Sequence, residues 1–299
     1  MSDCVYTRLQ GGLGNQMFQY AAGRSLAYKK NCGLKLDVRW YGKEAYPSFQ
    51  LDQFNIDCEI AQPQELSKLL RGGKLAAIAT RRSRRIKPMT YRHGMLFKEP
   101  HYHFSSQLFS QTPPVLIQGY WQSHKYFDDI KTDLQKDFTP KYPLSSYSNE
   151  IFHRINDCEV SISVHMRRGD YAFTEDLRSS EVYETLGYYR RAISLMKEMY
   201  PNATFFAFSD DIKFFMENLG NEANFVPVDG GQRPGLEDMM LISFCNHSII
   251  ANSSFSWWGA WLNKNVNKKI IAPRKWFSDK ALHNFHTYDI YPDEWITLG

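Results

Sequence analysis

Apolar and polar positions along this chain recur in one order: a short apolar run, a turn marked by glycine or charge, then a longer segment with helical spacing. Cys4 to Leu9 is the first apolar run, and Gln10 to Asn15 is the turn after it. Gln16 to Lys29 follows with Met17, Tyr20, Ala21, Ser25 and Tyr28 near helical spacing, which predicts an amphipathic helix. Gly33 to Val38 predicts a second strand and closes one βαβ unit. Glu65 to Arg71 then reads as helix, Val115 to Tyr120 as strand and Tyr126 to Phe138 as helix. Pro140 to Ser148, rich in proline and serine, reads as a linker and divides the chain into domains 1–145 and 146–299. Beyond it, strands at 159–166, 203–208, 223–228, 247–252 and 268–272 alternate with helices at 187–200, 211–219, 235–245 and 255–263. Such alternation predicts parallel sheets covered by helices, an α/β fold in two successive halves.

Composition narrows the function classes. A chain of 299 residues, 43% of them hydrophobic, can build two ordinary domains. The net charge of +4 tolerates an anionic substrate but lacks the concentrated basicity of a nucleic-acid binder. Cys4, Cys32, Cys58, Cys158 and Cys245 are scattered and odd in number, so neither a disulfide framework nor a zinc site is expected. The N-terminus shows no signal-peptide pattern and no apolar run reaches spanning length, so a soluble, cytoplasmic protein is expected. The basic run Arg81-Arg82-Ser83-Arg84-Arg85-Ile86-Lys87 reads as solvated loop. Its alternative is a weak peripheral contact with an anionic membrane, at about 1 kcal/mol per basic residue.

Three places carry candidate chemistry. The predicted strand Val160 to Met166 ends in His165, Arg167, Arg168, Gly169 and Asp170. Ligands of open α/β sheets bind beyond the carboxyl ends of the strands, and arginine there suits a phosphate. The loop Gly12-Leu13-Gly14-Asn15-Gln16-Met17 is half of a dinucleotide fingerprint, with Met17 in place of the third glycine. With Asp37 as the ribose acid it leaves a nicotinamide-dependent oxidoreductase open; as a tight turn it needs only glycine's positive φ. Asn15 and Gln16 add two carboxamides able to meet a sugar hydroxyl or a pyrophosphate oxygen. Finally, Ser209-Asp210-Asp211 and Asn252-Ser253-Ser254-Phe255 end two further strands, so that Asp170, Asp210 and Ser253 are expected to converge on one sheet edge. Ser253 and Ser254 suit helix caps as well as phosphate oxygens. Trp257 and Trp258 suit either helix packing or a non-catalytic carbohydrate-binding module.

Four blocks of the sequence resemble the bacterial α-1,2-fucosyltransferases: Gly11 to Ala21, Gly119-Tyr120-Trp121-Gln122-Ser123, His165-x-Arg167-Arg168-Gly169-Asp170-Tyr171, and Ser253 to Trp261. The resemblance implies a GT-B-type glycosyltransferase fold, two Rossmann-like α/β domains facing a cleft. It also implies GDP-β-L-fucose as donor, inversion at the transferred sugar, a galactose-terminated glycan as acceptor through its 2-hydroxyl, and no cofactor or metal. No Asp-x-Asp triplet occurs in the chain, which agrees with the last point. Animal members carry a membrane anchor before the first block, so a chain starting at its first strand is expected to be a bacterial member.

Carried onto these positions, Arg167 is the expected stabiliser of the departing β-phosphate, with Arg168 either on the donor or bracing Asp170. His165, Gly12, Gly14, Ser253, Ser254, Phe255 and either Asp210 or Asp211 are expected on the donor, an aspartate taking the guanine edge. Asn15 is expected to touch the fucosyl group or diphosphate from the first domain. For the base that deprotonates the acceptor hydroxyl, Asp170 and Glu175 are the candidates, and a strongly dissociative path without a base is the alternative. Tyr120, Trp121 and Gln122, extended by Trp40, are expected to form an aromatic platform for the acceptor sugar.

Overall fold

In a computed structural model, residues 3–42, 48–70, 95–167, 180–229, 231, 234–277 and 287–299 are described, with 180–184 described by their backbone alone. The chain divides into two compact units, breaking after Lys141, and a stretch ending at Ile290 belongs to the first. No helix among the described residues is long and apolar enough to cross a membrane.

The first unit is built on a five-stranded, all-parallel sheet. Its strands are β1 (Cys4–Arg8), β2 (Gly33–Asp37), β3 (Glu59–Ile60), β4 (Leu96–Lys98) and β5 (Val115–Gln118), in the order β3-β2-β1-β5-β4. The helix α1 (Leu13–Lys30) returns the chain from β1 to β2. It is buried along most of its length, Met17, Tyr20, Ala21 and Ser25 included, while Tyr28 is 59% exposed. The one-sided amphipathic helix expected from the sequence is therefore a core helix. Gly23 makes that fit possible, because a Cβ there would overlap Thr7 Oγ1 on β1. It does for α1 the close packing that the absent third fingerprint glycine would have done.

A second helix, α2, covers 63–70, and α3 is Lys131–Asp137. The helix expected over Tyr126 to Phe138 is shorter, because two 3-10 turns precede α3. Phe127, Ile130, Leu134 and Phe138 stay buried all the same, so the apolar spacing served the core although the backbone did not stay α-helical.

The second unit holds a six-stranded parallel sheet of β6 (Ser161–Met166), β7 (Thr204–Ser209), β8 (Phe225–Pro227), β9 (His247–Ile249), β10 (Ile270–Pro273) and β11 (Ile296–Leu298), in the order β11-β10-β9-β6-β7-β8. Counted from β6, this is the doubly wound order of a Rossmann sheet, whose direction of winding reverses between β6 and β9. Around it lie α4 (Ser146–Asp157), α5 (Ser180–Met199), α6 (Ile212–Leu219), α7 (Gly235–Phe244) and α8 (Ser254–Leu262). The serines of the expected linker start α4 instead. Ser145 Oγ accepts from Ser148 N at 3.3 Å, and Glu237 on α7 takes the hydroxyls of both Ser145 and Ser148. Trp257 and Trp258 are fully buried among Trp261 and Trp295. They are core residues, which removes the tryptophans on which a carbohydrate-binding module would depend.

Candidate functional site

In each unit the candidate residues gather at the carboxyl edge of the parallel sheet, beside the place where the winding reverses. In the second unit the strand end His165-Met166-Arg167 lies between β7, which ends at Ser209, and β9, which leads to Ser253. Two tyrosines of α5 fix these ends: Tyr189 donates to the His165 carbonyl at 2.8 Å, and Tyr188 donates to the Ile250 and Ile271 carbonyls at 2.8 and 3.1 Å. Both hydroxyls are buried and so remain neutral donors.

His165 is buried and lies 5.4 Å, ring to ring, from Phe255 at the start of α8. Its Nδ1 has no hydrogen-bond partner among the described residues. Burial lowers its pKa to about 4, opposed by the nearby Asp210 and assisted by Arg167. The imidazole is therefore neutral near pH 7, a hydrogen-bonding group and not a cation. Arg167 is exposed at the strand end and supplies the charge. Ser253 caps α8, its Oγ accepting from Phe255 N at 3.3 Å, and Ser254 is half-buried at the first helical position. Asp211 caps α6 through Phe214 N at 3.0 Å, while Asp210 is exposed beside it. Arg168, Asp170 and Glu175 lie outside the described residues.

In the first unit, the β1–α1 turn and the residues after β5 meet. Gly11 has φ +79°, and its carbonyl accepts from Gln16 Nε2 at 3.1 Å and Tyr41 Oη at 3.0 Å. Gly12, with φ −73°, is the N-cap of α1 and makes no side-chain cap bond, and Gly14 lies in the first turn. Gln16 is fully buried and also bonds Ser48 O and Gln50 N, so it is a loop clamp and not a ligand group. Asn15 is half-buried, and its Oδ1 accepts from Gln122 Nε2 at 2.9 Å. This bond joins the glycine loop to the segment after β5.

Two expectations for this edge are corrected. Trp121 is 0% exposed, packed on Phe97 and Tyr126, and has no face left for a sugar. Tyr120, stacked on Tyr102 with ring centroids 5.9 Å apart, and Trp40, edge-on to Tyr41, remain half-buried. Asp37, the acid required by the nicotinamide alternative, is also taken. Arg8 Nε reaches its Oδ2 at 3.0 Å, and Arg39 Nε and Nη2 reach its two oxygens at 2.8 and 2.9 Å. Burial opposes ionisation of this carboxyl, yet the two guanidiniums hold its pKa below the usual carboxylate range.

The residue this reading missed is Glu99, one position past β4. Its carboxylate accepts from Tyr120 N at 2.6 Å and Trp121 N at 2.9 Å. Burial pushes its pKa up to about 7 despite those bonds. A carboxylate at a strand end is the signal that drew attention to Asp170; at Glu99 the preceding strand has only three residues and gives almost no pattern.

Two units, each a parallel sheet with helices around it, make an α/β fold of the GT-B kind. The chain belongs to glycosyl transferase family 11, whose model matches residues 4–299. Among its relatives is an alpha-1,2-colitosyltransferase of Escherichia coli, 35% identical over 300 residues that cover 98% of each chain. A galactoside 2-alpha-L-fucosyltransferase of Caenorhabditis elegans is 25% identical, over 67% of this chain and 57% of the relative. Among solved structures, a mutant of FUT1 from Arabidopsis thaliana in complex with GDP shares the fold, with a TM-score of 0.50 and 14% identity, over 94% of this chain and 72% of that one.

Proposed function

We propose that this glycosyltransferase transfers L-fucose from GDP-β-L-fucose to the 2-hydroxyl of a galactoside, with inversion and without a metal ion. The observation that carries the reading is the β6 end, where neutral His165 and charged Arg167 stand beside the Ser253–Phe255 helix start. Breaking the donor's glycosidic bond produces an oxocarbenium-like sugar and sends the negative charge onto the departing diphosphate. Arg167 supplies the compensating cation, and His165, Ser253 and Ser254 supply neutral hydrogen bonds. Asp210 takes the guanine edge. The acceptor is assigned to the first unit, on Tyr120, Trp40 and the Asn15–Gln122 pair, and the galactoside fucosyltransferase among the relatives supports that substrate class.

A colitosyl donor is the second reading, favoured by the relative that matches 98% of the chain at 35% identity. Transfer assays with GDP-fucose and the corresponding colitosyl nucleotide, each with galactosides, decide between the two. NMR of the product gives the linkage. Added EDTA should leave the rate unchanged, and GDP but not NAD should raise the melting temperature. Loss of transfer in EDTA would refute the metal-free mechanism, and stabilisation by NAD alone would refute the donor class.

A further inference from the structure

Glu99 controls a turn that the sequence does not mark. Its own N–H continues the sheet ladder one residue past β4, donating to Gln118 O at 2.8 Å. Its side chain then bends across to the neighbouring strand end and takes two consecutive backbone N–H groups, those of Tyr120 and Trp121, one on each carboxylate oxygen. Gly119 lies between Gln118, whose carbonyl closes the ladder, and Tyr120. A Cβ there would overlap Glu99 Cβ and sit 2.5 Å from Oε2, so the carboxylate occupies the space a larger residue would need. Trp121 then adopts φ +57°, a left-handed conformation unusual for a bulky residue, which persists only where the surroundings impose it. The buried indole holds the turn from one side and Glu99 from the other, and the next side chain, Gln122, reaches Asn15.

We propose that Glu99 is the positioning residue of the acceptor edge: its ionised carboxylate fixes the Tyr120–Gln122 turn that presents Tyr120 and the Asn15–Gln122 pair. This rests on the transferase reading above. With a proton on Glu99, one of the two amides faces a hydroxyl oxygen in place of a carboxylate oxygen, and the turn loosens. Titratable groups on the surrounding elements are the phenols of Tyr102, Tyr120 and Tyr126, the carboxylate of Asp289 beyond Tyr126, and the stacked imidazoles of His101 and His103 on the loop after β4. Burial raises the pKa of the Tyr102 and Tyr126 phenols, so they stay neutral and place no second anion beside Glu99 near neutral pH. Because burial also holds Glu99 itself near 7, the clamp forms as pH rises through neutrality and weakens below it.

The test uses Glu99→Gln and, from the opposite side of the same contact, Gly119→Ala. Both should raise the galactoside KM about tenfold, the loss of one well-made hydrogen bond, with GDP affinity by calorimetry unchanged. The acceptor kcat/KM of the wild type should rise with pH through an inflection near 7, and Glu99→Gln should lose that inflection. Wild-type transfer onto the galactoside is the control for the underlying reading. With that established, unchanged KM in both variants, or an inflection that survives Glu99→Gln, overturns the role of Glu99.

Discussion

Replacing His165 with glutamine should make the second unit less sensitive to mild acid, although it removes a group from the edge proposed to hold the donor. The native imidazole has a pKa of about 4 against an ordinary value of 6.5, because burial opposes its charged form. A native pKa below the unfolded one means that the unfolded chain binds the proton more readily. Stability is therefore full above pH 6.5 and is lost as the pH falls toward 4. The complete difference amounts to about 3 kcal/mol at the acid limit. Between pH 7 and pH 5 it amounts to about 2 kcal/mol, since the native site is still almost unprotonated at the lower value. Urea denaturation at those two pH values gives the wild-type loss, and the same pair of curves for His165→Gln should show about 2 kcal/mol less of it. The comparison is between slopes, so any constant cost of burying the glutamine amide cancels. His247, whose pKa is also lowered by burial, titrates identically in both proteins. Asp210→Asn in the wild-type background should extend the acid loss to pH values below that window, because Asp210 is the neighbour that opposes the downward shift. Equal pH dependence in wild type and His165→Gln would refute the neutral, desolvated imidazole, and with it the division of labour between His165 and Arg167.

Two further outcomes follow from the same edges. Arg167→Ala should lower kcat by about 100- to 1000-fold, and Arg167→Lys by less, with a smaller effect on acceptor KM, because the contact strengthens as the diphosphate departs; steady-state kinetics with GDP-fucose check it, and a near-normal alanine variant would take Arg167 out of the reaction. Trp121→Ala should cost about 3–5 kcal/mol of folding stability by leaving a cavity in the core, seen as a lowered melting temperature, in place of a selective rise in galactoside KM.

The second unit was more legible because β6 and β7 have six residues each, enough to show a pattern, and end in residues of another kind, whereas β11, with three, was not predicted. Ser161–Met166 is buried at every position, and the change to arginine at 167 marks the strand end and the site together. The first unit was less legible. Its β3 and β4 have two and three residues, too few for any period, and their place in the sheet comes from pairing with β2 and β5. The same limit explains the serines near 145: a cap and a linker share a composition, and only the buried Glu237 carboxylate distinguishes them.

Site residues followed a related rule. Where a side chain's place depends on its own strand, as at Arg167 or Ser253, position in the sequence was enough to put it at the sheet edge. Where it depends on a neighbouring strand, sequence order pointed the wrong way. Trp121 reads as an exposed platform because it follows a strand between Tyr120 and Gln122, yet a left-handed turn sends its indole into the core. That turn is held by Glu99, more than twenty residues earlier in the chain and one strand away in the sheet. Asp37 follows the same logic in reverse. At the end of β2 it looks like a ribose acid, but Arg8 at the end of the adjacent β1 neutralises it together with Arg39. Parallel sheets bring the ends of distant strands together, so the chemistry at such an edge is decided by pairs across the sheet. In this chain the pairs Arg8–Asp37, Glu99–Trp121 and Asn15–Gln122 separate scaffold from ligand-facing groups, leaving Asn15, Tyr120 and Arg167 as the side chains on which substrate effects should concentrate.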